Sequence, residues 1–448
     1  MTPQPEVDRQ VDVGRRLPHM RWAGRFRQRQ LVRSSMWILP SAYLVVALGL
    51  GVLVPRLDRR LAVESSFLPE PDSARAVLSA IGAGMITLTG FVFSFLLLLV
   101  QFGSTAFTPR LTRTLQRDWV VKHALGAFTA TFMFSLSALL AVGRLGPGAA
   151  PLLTMITVGF LLVLSLGLFF GMIDRVMGNL RVSRVVRLLT VQGSQIFDTV
   201  YARPFEPATD ATAPVWPADR GTPVQVVRHV APSAVLVALD RDGLADIARH
   251  TRVRIEQIPA VGDDIARGSE LFRVYGDRPV SEELLRAALV LGDERTLEDD
   301  PGFALRLLVD IAVRALSPAV NDPTTAVQVL DGIAVLLGNA ATKDLDVGVV
   351  RDEAGVWLTG PAPTWTELLR LGTTEIRQYG RNSVQVLRRL RALLEGLLAI
   401  APPPRHDAVR DELARLDATV EAAFGAEADR IVALMPDPQG IGPFRPSG

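Results

Sequence analysis

The residues best suited to bind a charged ligand lie between positions 293 and 325. The segment combines carboxylates, guanidinium groups and an amide: Asp293, Glu294, Arg295, Arg306, Asp310, Arg314, Asn321 and Asp322. Carboxylate oxygens favour hard cations such as Mg²⁺ or Ca²⁺. One interpretation is a ligand or cation site formed by Asp293, Glu294, Asp310 and Asp322, although the spacing matches no known metal loop. The other is a structural network of buried ion pairs and helix caps. The sequence identifies no metal site and leaves any cofactor unknown.

Three of these charges fall on a helix predicted from 301 to 316, which is otherwise apolar on nearly every face and is therefore expected to be buried. Arg306, Asp310 and Arg314 are four residues apart and share one face. Because unpaired buried charges are strongly destabilising, we expect these three residues to form ion pairs. If the pairs are buried, Asp310→Ala should lower the free energy of unfolding by about 3–5 kcal/mol. The predicted N-caps are Asp300 and Asp322, each directly before a proline.

The sequence matches no catalytic template. It has no cysteine, which excludes disulfides, zinc–thiolate sites, iron–sulfur clusters and a cysteine nucleophile. Its histidines are isolated, and neither Gly-x-Ser-x-Gly nor the phosphate-binding Gly-x-x-x-x-Gly-Lys-Ser/Thr occurs. We expect no enzymatic activity. The net charge is +2, and no basic patch is interleaved with aromatics, so we also expect no nucleic-acid partner.

A second set of polar side chains lies inside an uncharged segment that runs from Ala76 to Pro109. The segment exceeds the roughly 20 residues that a helix needs to cross a bilayer core. On a helical wheel, small and polar residues share one face of it: Thr87, Gly90, Ser94, Gln101 and Thr105. Hydroxyl and amide groups can solvate an ion in a pore. The alternative is helix packing, because small residues allow close approach.

The elements that position these residues are predicted from hydropathy and charge. Four membrane helices are expected, with both termini in the cytoplasm, because Lys and Arg concentrate before the first span and after the second and fourth. The bilayer is thus an expected partner. The fold class is membrane α-helical plus a cytoplasmic α+β region with a small β module and a helical bundle. The predicted segments are a basic N-terminal segment (1–35), the membrane domain (36–174), a juxtamembrane helix and linker (175–222), the β module (223–280), a helical domain (281–435) and a disordered tail (436–448).

The basic segment after the fourth span is predicted to continue that helix to about Ile196. Two interpretations stay open for it. It either anchors the chain near anionic headgroups or couples the cytoplasmic part to the membrane.

Several strings of residues resemble one bacterial family of predicted membrane proteins, the domain-of-unknown-function 2254 family. The strings are Asp293-Glu-Arg-Thr296, Leu308-Val-Asp-Ile-Ala312, Arg314-Ala-Leu-Ser-Pro318, Asn321-Asp-Pro-Thr-Thr-Ala326, Gly90-Phe-Val-Phe-Ser94 and Phe107-Thr-Pro-Arg110. The resemblance implies a multi-span protein of the bacterial inner membrane. It implies no established activity or cofactor.

Two functions fit these patterns. The first is a homo-oligomeric ion channel or transport protein with a cytoplasmic regulatory domain. Four spans enclose little space, so a pore would form at a subunit axis lined by copies of one helix. The second is a membrane-anchored sensor or scaffold whose cytoplasmic domain binds a ligand or a protein partner.

Overall fold

The computed structural model describes residues 37–61, 71–106, 119–142, 151–179, 181–206, 221–297, 299–353 and 355–440. The described residues form two compact units, a helical unit that ends at Arg184 and an α+β unit that begins at Val185. The predicted basic segment 1–35 lies outside the described residues, and so does the tail from 441.

Within the described residues, the helical unit has four long apolar helices. They are α1 (Ile38–Leu61), α2 (Pro71–Ala106), α3 (Trp119–Val142) and α4 (Leu152–Asn179). Each is long and apolar enough to cross a membrane. A fifth helix of the described chain, Pro323–Ala341, also meets that criterion, but it lies in the α+β unit and is largely buried there. The four-span membrane domain predicted from hydropathy is therefore confirmed.

Helix α3 is the centre of the helical unit. It packs on α1, α2 and α4. Its inward positions are mostly small, and its large side chains Phe128 and Phe134 are fully buried. Gly126 lies directly under the ring of Tyr43 in α1, where an added Cβ would come within 2.9 Å of the ring. Small residues along α3 thus allow its neighbours to pack closely.

The α+β unit contains two sheets. Their strands are β1 (Gln225–Arg228), β2 (Ala234–Leu239), β3 (Arg254–Gln257), β4 (Asp264–Ile265), β5 (Glu270–Tyr275), β6 (Leu289–Gly292), β7 (Val349–Asp352) and β8 (Gly355–Thr359). The five-stranded sheet has the order β1-β5-β3-β8-β7, and the three-stranded sheet has the order β4-β2-β6. Only β3 and β8 pair in parallel among the described strands. Apolar side chains of both sheets, among them Leu236, Ile255 and Phe272, form one core.

Strands β6, β7 and β8 come from residues beyond the predicted β module, in a stretch predicted to be helical. Strand β8 joins the five-stranded sheet by pairing with β3, about a hundred residues earlier in the chain. The hairpin of β7 and β8 is short and mixed in polarity, so its strands show no clear alternation in the sequence.

Helix α5 (Val182–Val200) begins at the end of the helical unit, and its residues from Val185 belong to the α+β unit. The other described helices of the α+β unit are α6 (Arg241–Thr251), α7 (Glu282–Ala287), α8 (Pro301–Ala315), α9 (Pro323–Ala341), α10 (Trp365–Tyr379), α11 (Val384–Ile400), α12 (His406–Ala423) and α13 (Glu427–Leu434). Helices α8 and α9 begin at the predicted caps, and α8 is buried as its composition predicts.

One local expectation needs correction. The basic segment after α4 does not continue that helix, because α4 ends at Asn179 and α5 begins at Val182. Elsewhere, Asp240 lies at the start of α6, where its carboxylate accepts a hydrogen bond from the Gly243 amide. Helices α10 and α11 separate at Gly380, where an added Cβ would lie 2.6 Å from Val386.

Candidate functional site

The small and polar residues of α2 lie on the side of that helix that faces away from the other helices of the unit. Thr87, Gly90, Ser94 and Gln101 are all exposed. Thr105 continues the same face along the backbone, but its side chain lies outside the described residues. The polar strip is bordered by exposed apolar side chains, Ile86, Phe91, Phe93 and Leu97.

The opposite side of α2 holds it in the bundle. Met85 and Val92 are buried there in one cluster with Val121 and Phe128 of α3 and Met172 of α4. Met85 and Val92 therefore face the bundle, and the small and polar residues lie at the surface of the single chain together with exposed apolar side chains such as Phe91 and Phe93.

The hydroxyl groups of this outer face are bonded within the helix. Thr87 Oγ1 donates to the Ala83 carbonyl at 2.9 Å, and Ser94 Oγ donates to the Gly90 carbonyl at 3.1 Å. These bonds satisfy each donor and make the hydroxyls tolerable in an apolar environment. The oxygen of each hydroxyl keeps lone pairs that can accept from water or coordinate a cation. Apart from adjacent residues and the backbone of its own helix, no atom of the described chain lies within 4 Å of a Cβ added at Gly90, so the helix surface at this position is open.

The interior of the helical unit is filled by side chains of α3 and α4. Thr131 of α3 is fully buried and bonds to Ser165 of α4, with 2.8 Å between the two oxygens. Phe128 and Phe134 fill the levels on either side of it. The hydroxyls of Thr131 and Ser165 are thus buried between helices, whereas those of Thr87 and Ser94 in α2 are exposed.

In the α+β unit, Arg306 is the centre of an ion-pair cluster. Its guanidinium donates to Asp310 one turn later and to both carboxylate oxygens of Glu375 in α10. These bonds lower the pKa of the Glu375 carboxyl and raise that of Arg306. The side chains of Arg306 and Asp310 are 25% and 14% exposed, so the cluster is half-buried and not fully buried. Arg314 is half-buried one turn beyond Asp310.

Arg295 and Asp300 form a second ion pair, which ties the loop before α8 to the β4 region. The pair lies over Gly262, where an added Cβ would overlap the guanidinium. Gly262 also has φ +96°, which favours glycine. The Arg295 guanidinium lies 5.3 Å from the centre of the Phe303 ring. Asp293 and Glu294 are exposed in the same loop.

Asn321 and Asp322 form the start of α9. Asp322 accepts hydrogen bonds from the Thr325 amide at 3.0 Å and the Thr325 hydroxyl at 2.6 Å, which lower the pKa of the Asp322 carboxyl. Asn321 has φ +48°, a left-handed conformation that asparagine tolerates better than most residues. Across the described residues, no group of three or more acidic or histidine side chains is placed to hold a metal ion. The charged residues around α8 and α9 therefore form ion pairs and helix N-caps.

Comparison with known proteins identifies the family. The model of DUF2254, described as a predicted membrane protein, matches residues 33–396. The chain belongs to the DUF2254 family. It is 31% identical over 424 residues to the uncharacterized protein Rv1290c of Mycobacterium tuberculosis, an alignment that covers 90% of this chain and 79% of the relative. The uncharacterized protein Mb1321c of Mycobacterium bovis matches with the same identity and coverage. No solved structure matches the chain.

Membership of the DUF2254 family establishes a multi-pass membrane protein. Both α2 and the Arg306 cluster lie within the matched range, and so do the two predicted caps. Both mycobacterial relatives are uncharacterised proteins, so the comparison establishes the membrane topology of the family and no activity.

Sequence reasoning missed two polar contacts in the membrane part of this DUF2254 chain. Asp58 in α1, which is 5% exposed, accepts hydrogen bonds from the Leu153 amide at 2.8 Å and from the amide and hydroxyl of Thr154 at 3.0 and 2.6 Å. Asp58 therefore caps the N-terminus of α4, although it lies 95 residues before Leu153 in the sequence. The Tyr43 hydroxyl lies 2.8 Å from His123 Nδ1, between α1 and α3.

Proposed function

We propose that the protein is a homo-oligomeric ion channel or transport protein of the inner membrane, in which copies of α2 surround the permeation path. The observation that carries the proposal is the outer face of α2. Its Thr87, Gly90 and Ser94 are exposed on the single chain, whereas the centre of the helical unit is filled by α3. In the described part of the helical unit the centre is occupied by α3, and on this basis we place the path where several chains meet.

The chemistry of the face suits an uncharged path. The hydroxyls of Thr87 and Ser94 donate hydrogen bonds to carbonyls of their own helix, so the lone pairs of their oxygens face outward. Neutral oxygen ligands replace part of the hydration shell of an ion without binding it too tightly to leave. The apolar border of Ile86, Phe91 and Phe93 supplies the contact surface for neighbouring copies.

The proposal places both termini and the α+β unit in the cytoplasm, on the basis of the Lys and Arg distribution between the short loops. The α+β unit has its own core and serves as the regulatory part. The proposal assigns no catalytic step to the chain.

Ion flux from liposomes that contain the purified protein tests the proposal. Two exposed glycines make a matched pair of sites, because Gly90 in α2 and Gly167 in α4 both have open space beyond them. We expect Gly90→Leu to abolish flux, since the new side chain enters the path, and Gly167→Leu to leave flux unchanged. Absence of wild-type flux for every ion tried across a series of pH values, or equal loss in both variants, contradicts the proposal.

A sensor or scaffold is the second candidate, and one feature of the α+β unit favours it. An open depression on the β module is lined by Ile258, Pro259, Asp263, Asp264 and Glu270 among others. Glu270 is paired there with Arg228 and Arg273, whereas the carboxylates of Asp263 and Asp264 suit a basic ligand. Titration of the full chain in detergent with a short basic peptide, combined with absence of flux, would favour this second candidate over the first.

A further inference from the structure

Helix α5 has two faces of opposite character. Its inner face carries Val185, Val186, Leu189, Gly193 and Phe197, all of which are buried. Gly193 lies against Ala304 of α8 and Leu336 of α9, and Val186 lies against Gly332 of α9. Helix α5 is therefore an integral part of the core of the α+β unit.

The outer face of α5 carries two arginines and two apolar side chains. Arg184 and Arg187 are exposed, and Leu188 and Val191 are 39% and 50% exposed beside them. Among the described residues, neither arginine takes part in an ion pair. Farther along the same face, Asp198 is bonded to Lys343 at 2.8 Å. The half of the face that comes first in the chain is thus both cationic and apolar.

Covalent geometry keeps this face near the bilayer. Helix α4 ends at Asn179, five residues before Arg184. A chain spans at most about 3.5 Å per residue, so the two Cα atoms are no more than roughly 18 Å apart. Arginines at that distance from the end of a span lie within reach of the headgroup layer.

We propose that the outer face of α5, formed by Arg184, Arg187, Leu188 and Val191, binds the surface of a bilayer that contains anionic phospholipid. The guanidinium groups contact the phosphates, since guanidinium matches phosphate geometry. Leu188 and Val191 enter the boundary between headgroups and acyl chains, as the apolar face of an interfacial helix does. Because α5 is packed into the α+β unit, this contact fastens that unit to the membrane surface.

A lipid surface fits the face better than a protein partner does. A stable protein interface buries about 800 Å² on each side, which is far more than four side chains supply. The face has cationic groups for anionic headgroups, which are enriched in the cytoplasmic leaflet. This inference does not depend on whether the protein conducts ions.

Spin labelling of the full chain in nanodiscs tests the inference. The sequence has no cysteine, so Val191→Cys creates a single labelling site. Val230→Cys is the matched control, since Val230 is 67% exposed in the loop after β1. The measurement is the collision rate of the label with oxygen, which concentrates in lipid, relative to that with a water-soluble nickel chelate.

In nanodiscs of phosphatidylcholine and phosphatidylglycerol, we expect a higher oxygen-to-nickel ratio at 191 than at 230. The double substitution Arg184→Gln and Arg187→Gln should lower the population of α5 bound to the membrane surface about fivefold for each arginine, and the oxygen-to-nickel ratio at 191 should fall accordingly. Nanodiscs made of phosphatidylcholine alone should lower the ratio in the same way. Both substitutions are at exposed positions and leave the core intact. Equal ratios at 191 and 230, a label at 191 shielded from both reagents, or no effect of the double substitution would overturn the inference.

Discussion

Asp58 offers the sharpest test of how the membrane helices are held together. Its carboxylate is 5% exposed and accepts three hydrogen bonds at the start of α4, two from backbone amides and one from the Thr154 hydroxyl. The free amides at a helix N-terminus need such acceptors. Asp58→Ala removes all three bonds and leaves their donors in a buried site.

The size of the effect follows from the bonds that are lost. Loss of a helix N-cap costs about 0.5–2 kcal/mol, and a buried hydroxyl left without a partner costs about 1–3 kcal/mol. We therefore expect Asp58→Ala to destabilise the helical unit by about 2–4 kcal/mol. At roughly 2–4 °C per kcal/mol, the apparent Tm falls by about 5–15 °C.

The assay is thermal unfolding of the full chain in detergent, followed by the loss of monodisperse protein. Asp72→Ala is the control, because Asp72 is 88% exposed and pairs only with Arg75 three residues later among the described residues. Exposed pairs of this kind contribute little. If Asp58→Ala and Asp72→Ala had the same Tm within error, Asp58 would not connect α1 to α4 as the hydrogen bonds indicate.

Two further predictions concern the Arg306 cluster. Asp310→Ala should lower the free energy of unfolding by about 1–2 kcal/mol, less than the 3–5 kcal/mol expected for a fully buried cluster, because the cluster is half-buried and Arg306 keeps its bonds to Glu375. Denaturant unfolding of the full chain measures this loss, and a loss above about 3 kcal/mol would contradict the prediction. The second prediction concerns pH. The folded-state pKa of Glu375 is lowered by Arg306, so its stabilising effect is present above the unfolded pKa and is lost as pH falls through the folded pKa. The stability difference between wild type and Glu375→Gln should therefore be largest at neutral pH and vanish in acid; a difference that grows on acidification would refute the assignment.

The sequence predicts features whose cause is local. Four spans follow from long uncharged runs, and the caps Asp300 and Asp322 follow from an aspartate directly before a proline at a helix start. The two faces of α2 follow from helical periodicity, and the structure places the small face outward.

Features that depend on distant partners were not predictable. Asp58 meets Thr154 across 96 residues, and Arg306 meets Glu375 across 69. Each of these residues has ordinary neighbours in the sequence, so nothing local distinguishes it from a solvated charge. The pairing of β8 with β3 has the same origin, because it depends on how the chain returns to the sheet. Glu375 was missed for this reason, although it completes the cluster that the spacing of Arg306 and Asp310 indicated.

The central claim is that the outer faces of α2 meet around an axis in the membrane. Because the chain has no cysteine, Ser94→Cys and, as a control on the exposed side of α4, Gly167→Cys each give one reactive site. Bis-maleimide reagents of graded length, applied to the protein in its membrane, should link two chains through position 94 and leave position 167 monomeric. No linkage at 94 with any length, or equal linkage at 94 and 167, would contradict the claim.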